Sequence, residues 1–132
     1  MSLVVCDAST VVAALLRDIH EQGDWAAQQL RGAVLVGPAL LPFEVSNVLR
    51  RHELAGRASA DRAARGHVDL LGLRLQLYPY AFAAQRTWEL RASVTAYDAS
   101  YVALAEALAV PLVTLDRRLA RAPGLRCEVL VP

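Results

Sequence analysis

Short apolar runs alternate along this chain with longer segments whose apolar residues recur at helical spacing. After residue 40, for example, Val45, Val48 and Leu49 stand at i, i+3 and i+4. This alternation predicts an α/β domain in which parallel strands are connected by helices. The predicted strands are residues 3–6, 33–36, 75–78, 111–115 and 127–131, and the predicted helices are residues 9–17, 22–31, 40–55, 59–73, 81–92, 96–109 and 117–122. Because no repeat or linker interrupts them, residues 1–132 are predicted to form a single domain.

The composition adds a prediction about assembly. Apolar residues make up 55% of the chain, above the roughly 45–50% of an average soluble domain. Since surplus apolar surface is usually covered in an interface, we expect a homodimer or a stable partner. The net charge of +1 excludes a strongly basic nucleic-acid binder. All 14 basic residues are arginine, which excludes mechanisms that need a lysine.

The ends of the chain bear on its location. The apolar run before Asp7 is too short for a signal peptide, and no segment is long enough to span a membrane. Cys6 and Cys127 lie far apart in sequence and lack the spacing of a metal knuckle or a redox pair. We therefore expect a reduced, cytoplasmic protein with no membrane partner.

Four acidic residues stand where an apolar run meets a helix or within an apolar helix. Asp7 and Asp116 end predicted strands, Asp98 lies near the start of a predicted helix, and Glu44 lies in an apolar stretch of another. In parallel α/β sheets, ligand sites form beyond the carboxyl ends of the strands. Four carboxylates at such positions, most without a basic neighbour, predict a site for a divalent metal ion.

Each acid also has a structural alternative. Asp7 and Asp116 could cap helices, because a side-chain oxygen there accepts hydrogen bonds from exposed backbone N–H groups. Thr95 and Asp98 have nearly the spacing and residue types of a capping box. Glu44 does not fit this alternative. A carboxylate buried in an apolar helix without a partner is costly, so we expect a metal ion or an arginine beside it.

The chemistry of such a site is that of hard cations. Mg²⁺ and Mn²⁺ prefer oxygen ligands and keep several waters, so a few carboxylates suffice. A bound ion lowers the pKa of a water and neutralises charge that builds on a phosphate. It also relieves the repulsion among the carboxylates. An acidic centre can in this way cut a polyanion.

Four blocks of sequence contain these acids, namely Val4–Ser9, Pro42–Leu49, Thr95–Ala105 and Leu112–Leu119. In this order and spacing the chain resembles PIN-domain ribonucleases, and within them the VapC-type toxins of bacterial toxin–antitoxin modules. The resemblance implies a three-layer PIN-like fold with a parallel sheet of order 3-2-1-4-5 and helices on both faces. It also implies Mg²⁺- or Mn²⁺-dependent endonucleolytic cleavage of RNA.

The resemblance also assigns roles by position. Asp7, Glu44, Asp98 and Asp116 would bind the metal and form the catalytic centre. Three further residues would support them. Ser9 and Thr114 would hydrogen-bond a metal-bound water or a phosphate, and Asn47 would either orient Glu44 or be an exposed polar residue of its helix.

Several arginines are candidate RNA contacts, because they extend the Glu44 helix or follow Asp116: Arg51, Arg117 and Arg118. The alternative is that they are solvated side chains on helix faces. The VapC-type resemblance further implies a cognate VapB-like antitoxin with a DNA-binding N-terminus and a tail that wraps the toxin. No direct DNA readout is therefore expected from this chain. An arginine of that tail could occupy the acidic cleft by charge complementarity.

Other functional classes fit less well. His20, His52 and His67 show no ligand spacing and are predicted to lie on the surface, so the metal would have to generate the nucleophile. Response-regulator receivers need a lysine, and haloacid-dehalogenase-like phosphatases need a second aspartate where this chain has Ser9. A non-catalytic PIN-fold RNA-binding or interaction module remains the alternative. The RNA target stays open among tRNA, ribosomal RNA and messenger RNA.

The expected strand order makes one prediction about the thiols. The strand ending at Thr114 would separate those of Cys6 and Cys127 by about 9–10 Å. This exceeds the roughly 7 Å reach of a disulfide, so no disulfide is expected.

Overall fold

The computed structural model describes residues 2–132. Its strands are β1 Ser2–Cys6, β2 Ala33–Pro38, β3 Leu75–Tyr78, β4 Leu112–Val113 and β5 Val129–Leu130. Its helices are α1 Ala8–Leu15, α2 Gly23–Leu30, α3 Leu41–Leu54, α4 Ala60–Leu71, α5 Tyr80–Glu89, α6 Ala96–Leu108 and α7 Arg117–Ala120. Every predicted element is present, and most boundaries differ by one to three residues. The strands β4 and β5 are shorter than predicted, two residues each.

The five strands form one parallel sheet of order β3-β2-β1-β4-β5, as predicted. Because parallel crossovers are right-handed, α1–α4 cover one face of the sheet and α5–α7 the other. The direction of the strand order reverses between β1 and β4. Ligand sites of open α/β sheets form at such a switch point, outside the carboxyl ends of the strands.

The core lies around β1 and α6. Val5 and Cys6 of β1 and Val36 of β2 have no exposed surface. Residues 99–105 of α6 are all buried. Helices on both faces explain why β1 is a continuous apolar run rather than an alternating one. This packing fixes the first turn of α6 against the carboxyl ends of β1 and β4.

The structure also reports on the thiols and on membrane crossing. Cys6 is buried and Cys127 is half-buried, and both are free thiols. The strand β4 lies between β1 and β5, and Cys127 stands two residues before β5 rather than within a strand as predicted. Within residues 2–132, no helix combines the length and the apolar character that a membrane crossing requires.

Candidate functional site

The carboxyl edge of the sheet brings the four predicted acids to one cleft. Asp7 follows β1, Glu44 lies in the first turn of α3, Asp98 lies in the first turn of α6, and Asp116 precedes α7. A cavity of about 200 Å³ is lined by Asp7, Glu44 and Asp98. A second cavity of about 540 Å³ is lined by Asp98 and Asp116. Since Asp98 lines both cavities, we call the two together the acidic cleft.

Asp7 is held rigidly by hydroxyl groups. Its Oδ1 accepts hydrogen bonds from the backbone N of Thr10 at 3.1 Å and from the Thr10 hydroxyl at 2.6 Å, so Asp7 does cap α1. Its Oδ2 accepts a hydrogen bond from the Thr114 hydroxyl at 2.5 Å. Burial raises the pKa of the Asp7 carboxyl, against the opposing effect of these hydrogen bonds, and the charge of Asp116 adds to the rise.

Thr114 connects two of the acids. It is fully buried, and while its hydroxyl donates to Asp7, the same oxygen accepts a hydrogen bond from the backbone N of Asp116 at 3.0 Å. The Asp116 carboxylate caps α7 by accepting from the backbone N of Arg118 at 2.9 Å and of Leu119 at 3.3 Å. Asp7 and Asp116 therefore cap helices and face the cleft at the same time, so the two interpretations of these residues are compatible.

Within residues 2–132 the partner of Glu44 is a tyrosine and not the arginine that was one of its two expected partners. The Glu44 side chain is half-buried, and its Oε1 accepts a hydrogen bond from the Tyr101 hydroxyl at 2.6 Å. Burial, together with the hydrogen bond to Glu44 and its charge, raises the pKa of Tyr101 well above its ordinary value. The hydroxyl therefore stays protonated and donates to the carboxylate at any physiological pH.

Sequence reasoning missed Tyr101 as a site residue. Its side chain is only 2% exposed, which matches the expectation of a core position. A signal was present, because the hydroxyl of a buried tyrosine usually needs a hydrogen-bond partner. Tyr101 also follows Asp98 by three residues on a helix, which places the two on neighbouring positions of one face.

Asp98 is the acid on which burial and the charges of the other carboxylates act most evidently. Burial and then the charges of Asp7 and Asp116 raise its pKa, while the hydrogen bond with Thr95 lowers it. Within residues 2–132, no arginine forms an ion pair with Asp7, Glu44 or Asp98; Asp116 has Arg118 at 3.9 Å. The cleft thus holds negative charge that its own side chains leave largely uncompensated.

Of the three supporting polar residues, Thr114 is buried and its hydroxyl bonds Asp7 and the backbone N of Asp116, whereas the other two lie at the exposed mouth of the cleft. Ser9 and Asn47 are exposed and line the smaller cavity. The described part of the chain shows no hydrogen bond between Asn47 and Glu44. Of the candidate RNA contacts, Arg51 lines the smaller cavity and Arg118 the larger. Arg117 lines neither, and its guanidinium donates instead to the carbonyl oxygen of Pro132.

The donor set of the cleft fits a partly hydrated cation. Among residues 2–132, no three His, Cys, Asp or Glu side chains lie close enough together to enclose a metal ion. Mg²⁺ does not need such a cage, because it usually binds through one or two carboxylates and keeps several waters. The side chains of the cleft offer oxygen donors, and the charges of Asp7 and Asp116 already raise the pKa of Asp98. A hard divalent cation at the cleft would relieve this repulsion.

Two histidines depart from the predicted surface position. His20 and His52 are half-buried, and their ring centroids lie 6.0 Å apart. They line a separate cavity with Glu21 and Arg57, beyond the last turn of α1 and near the end of α3. Neither histidine lines the acidic cleft.

Known proteins are similar to this chain in sequence and in fold. The PIN domain family matches residues 4–125. Ribonuclease VapC1 of Mycobacterium tuberculosis is 44% identical over 136 aligned residues, covering 98% of this chain and 97% of that protein.

Two solved structures show the same fold at low sequence identity. VapC20 of Mycobacterium tuberculosis, described as a toxin that cleaves the sarcin-ricin loop, superposes with a TM-score of 0.69 and 14% identity, covering 98% of this chain and 99% of that one. VapBC2 of Rickettsia felis, crystallised with a DNA fragment from its promoter, superposes with a TM-score of 0.64 and 15% identity, covering 96% and 98%.

Proposed function

Because this chain belongs to the PIN-domain family and, within it, to the VapC ribonucleases, we propose that it is a Mg²⁺- or Mn²⁺-dependent endoribonuclease. We further propose that it is the toxin of a VapBC-type toxin–antitoxin pair. The observation that carries the metal dependence is that Asp7, Glu44 and Asp98 line one cavity while, within residues 2–132, no arginine forms an ion pair with any of the three. Because the cleft is negatively charged, it has to bind a cation before an RNA phosphate can enter.

The proposed roles of the residues follow from their contacts. Asp7, Glu44, Asp98 and Asp116 supply the carboxylate oxygens that hold the cation. When bound, such an ion activates a water and neutralises charge on the phosphate. Hydroxyl donors keep two of these acids, Asp7 and Glu44, in place.

The hydroxyl groups behind the acids act as positioning groups. Thr10 and Thr114 orient both oxygens of Asp7, and Tyr101 orients Glu44. These bonds leave lone pairs of the carboxylates directed into the cleft. No histidine lines either cavity, and the chain has no lysine. The site therefore offers neither a histidine nor a lysine as a general base. Ser9 and Asn47 lie where they can hydrogen-bond a substrate phosphate.

The arginines at the mouth of the cleft fit a polyanionic substrate. Arg51 lines the smaller cavity, and Arg118 together with Arg91 lines the larger, so each part of the cleft has at least one arginine beside it. Such side chains attract phosphates without reading sequence. Arg117 is occupied with Pro132 and is the weaker candidate for this role.

The proposal is tested by cleavage of a mixed pool of structured RNAs. Purified, antitoxin-free protein is assayed with Mg²⁺ or Mn²⁺, with EDTA, and as the Asp98→Asn variant. We expect cutting that requires the metal and disappears in the variant, while Glu53→Gln, an exposed acid of α3, cuts like the parent. RNA binding that is unaffected by EDTA and by Asp98→Asn, without cutting, would indicate a non-catalytic module instead.

We also propose that the core unit is a homodimer. An apolar cavity of about 530 Å³ lies beside the acidic cleft, between α3, α5 and α6. Its rim exposes Phe43, Tyr80 and Tyr97, which are 75%, 64% and 63% exposed. Such a patch is costly in water and fits a second copy of the chain. Light scattering is expected to show a dimer that Phe43→Glu converts to a monomer, whereas Leu71→Glu, on exposed α4, leaves the dimer intact.

The second proposed partner is a VapB-like antitoxin. The proposed site of action is the cytoplasm, where the protein encounters its RNA substrate. The uncompensated charge of the cleft suits an arginine from the tail of such a partner. An arginine there would compete with the cation for Asp98 and Asp7. We expect a co-expressed antitoxin to lower the affinity for Mn²⁺ and to suppress RNA cleavage together.

A further inference from the structure

An exposed tryptophan stands near the end of α5. The side chain of Trp88 is 65% exposed and does not belong to the core. The guanidinium carbon of Arg91 lies 4.5 Å from the centroid of its ring, and Nη1 of Arg91 donates to the Trp88 carbonyl at 2.8 Å. The two side chains therefore form a fixed pair in which one face of the indole is covered and most of the ring is open to solvent.

This pair adjoins the larger cavity of the acidic cleft. That cavity is lined by residues 91–95, by Asp98, and by Asp116, Arg118, Leu119 and Ala122. Arg91 and Arg118 therefore both line the larger cavity, one from the segment after α5 and the other from α7. The volume of about 540 Å³ lies within the roughly 300–1,000 Å³ range of sites for small ligands. One nucleotide of a chain can enter such a space.

The surroundings of Trp88 favour a nucleic acid over a protein partner. Its neighbours Glu89 and Arg91 are charged and exposed, so no apolar patch continues from the indole. The apolar cavity between α3, α5 and α6 is lined on α5 by Tyr80 and Ala83, so it ends five residues before Trp88, about 7–8 Å away along the helix axis. An isolated aromatic ring beside arginines suits a base and its phosphates, because every base has a face that can stack.

We propose that Trp88 and Arg91 position the RNA substrate. A base of the strand that leaves the larger cavity stacks on the indole of Trp88, and Arg91 and Arg118, which both line that cavity, bind phosphates. This inference rests on the proposed ribonuclease function and gives the path of the RNA strand from the larger cavity to Trp88. Trp88 is a positioning residue, since it lies outside the acidic cleft and touches no reacting atom.

Fluorescence tests the contact without cleavage. The chain has two tryptophans, and Trp25 is half-buried against the core. In an Asp98→Asn background with Mg²⁺, the Trp25→Phe variant reports on Trp88 alone and the Trp88→Phe variant on Trp25 alone. Titration with fluorescently labelled, mixed-sequence single-stranded octaribonucleotides is expected to quench the emission of Trp88 and to leave that of Trp25 unchanged. Binding seen by anisotropy without quenching, or no binding at all, would overturn the proposal.

Kinetics separate this inference from the proposed function. Trp88→Ala is expected to raise KM for RNA about tenfold and to change kcat by less than about twofold, while Trp88→Tyr restores most of the affinity. Phe82→Ala, which removes another exposed ring of α5, is the control and leaves KM unchanged.

The remaining outcomes assign failure to one proposal or the other. An active enzyme whose KM is insensitive to Trp88→Ala refutes the positioning role and leaves the ribonuclease intact. Quenching of Trp88 by RNA in a protein that cuts no RNA supports the contact and refutes the ribonuclease. If Trp88→Ala weakens antitoxin binding but not RNA binding, Trp88 is a protein contact and the inference is wrong.

Discussion

The hydroxyl of Tyr101 donates a 2.6 Å hydrogen bond to Oε1 of Glu44, across 57 residues of sequence. The bond joins the first turn of α3 to α6, at the rim of the acidic cleft. It gives a half-buried carboxylate a donor without neutralising its charge. Glu44 is therefore oriented at the cleft before any cation arrives.

Removing this donor is expected to cost both stability and activity. In Tyr101→Phe, Glu44 loses its partner, and the free energy of unfolding should fall by about 1.5–3 kcal/mol, the usual range for a hydrogen bond to a charged group. The rate of RNA cleavage should fall as well, because Glu44 is no longer oriented. Urea unfolding and cleavage assays measure the two effects. Tyr97→Phe, which alters an exposed ring, should change neither, and an unaltered Tyr101→Phe protein would contradict the role of this bond.

The Thr114 hydroxyl should set the lower pH limit of activity. Thr114→Val removes a donor that lowers the pKa of Asp7, so that pKa should rise further and the acidic limb of the pH–rate profile should move to higher pH. Stability should fall by about 1–3 kcal/mol, since Asp7 and the backbone N of Asp116 both lose a partner. Thr87→Val is the matched control, because the buried Thr87 hydroxyl has no partner within residues 2–132. A shift of the limb to lower pH would refute this assignment.

Asp98 should destabilise the metal-free protein at neutral pH. A carboxyl whose pKa is raised on folding binds its proton more tightly in the folded state. Stability is therefore greatest below the unfolded pKa, near 4, and falls as the pH rises through the folded pKa. In EDTA, Asp98→Asn should raise the melting temperature at pH 7, and the gain should vanish below about pH 4.

The same scans contain their own controls. Glu53→Gln, outside the cleft, should show no gain at either pH. Added Mg²⁺ should raise the melting temperature of the parent at pH 7 and reduce its difference from Asp98→Asn. If Asp98→Asn melts at or below the parent temperature at pH 7 in EDTA, the attraction between its charge and the N-terminus of α6 outweighs the repulsion, and the electrostatic account of the cleft fails.

The pair of Arg86 and Glu106 should contribute to stability without touching function. Arg86 Nε lies 2.6 Å from Glu106 Oε1, and the two side chains are 19% and 11% exposed. Glu106 also accepts from the backbone N of Arg126, so it connects α6 to the segment before β5. Arg86→Met should lower the free energy of unfolding by about 2 kcal/mol and leave KM for RNA unchanged. Arg17→Met, which breaks an exposed pair with Asp24, should cost less than about 0.5 kcal/mol; equal losses would contradict the argument.

Most of the helices and strands were predictable because their signals are local. Apolar runs in β1 and β2 and the helical spacing around Val45 are visible in the sequence, and the family resemblance supplied the order of the strands. The lengths of β4 and β5 were not predictable in the same way. Pairing needs a neighbour in register, and β5 pairs with β4 alone, through Val129 and Leu130. The apolar character of the residues beside Val129 and Leu130 does not by itself add further paired residues to β5.

The acids of the cleft were visible in the sequence, and the family resemblance also named Thr114, but the bonds that hold the acids were not visible. The Thr114 hydroxyl reaches Asp7 across 107 residues, and the Tyr101 hydroxyl reaches Glu44 across 57. Contacts between distant segments decide these two cases. Thr10, by contrast, bonds Asp7 within the first turn of α1. The exposure of Trp88 depends on the path of α5, which the sequence does not show.

The most direct test of the account is the affinity for Mn²⁺, measured by isothermal titration calorimetry on the antitoxin-free chain. Asp7→Asn, Glu44→Gln, Asp98→Asn and Asp116→Asn are compared with the parent and with Glu53→Gln. If the four carboxylates form one cation site, each of the four variants binds Mn²⁺ at least about tenfold more weakly, and Glu53→Gln binds like the parent. Equal affinity in the parent and in all four variants would mean that the acidic cleft does not hold the metal, and would contradict the central claim.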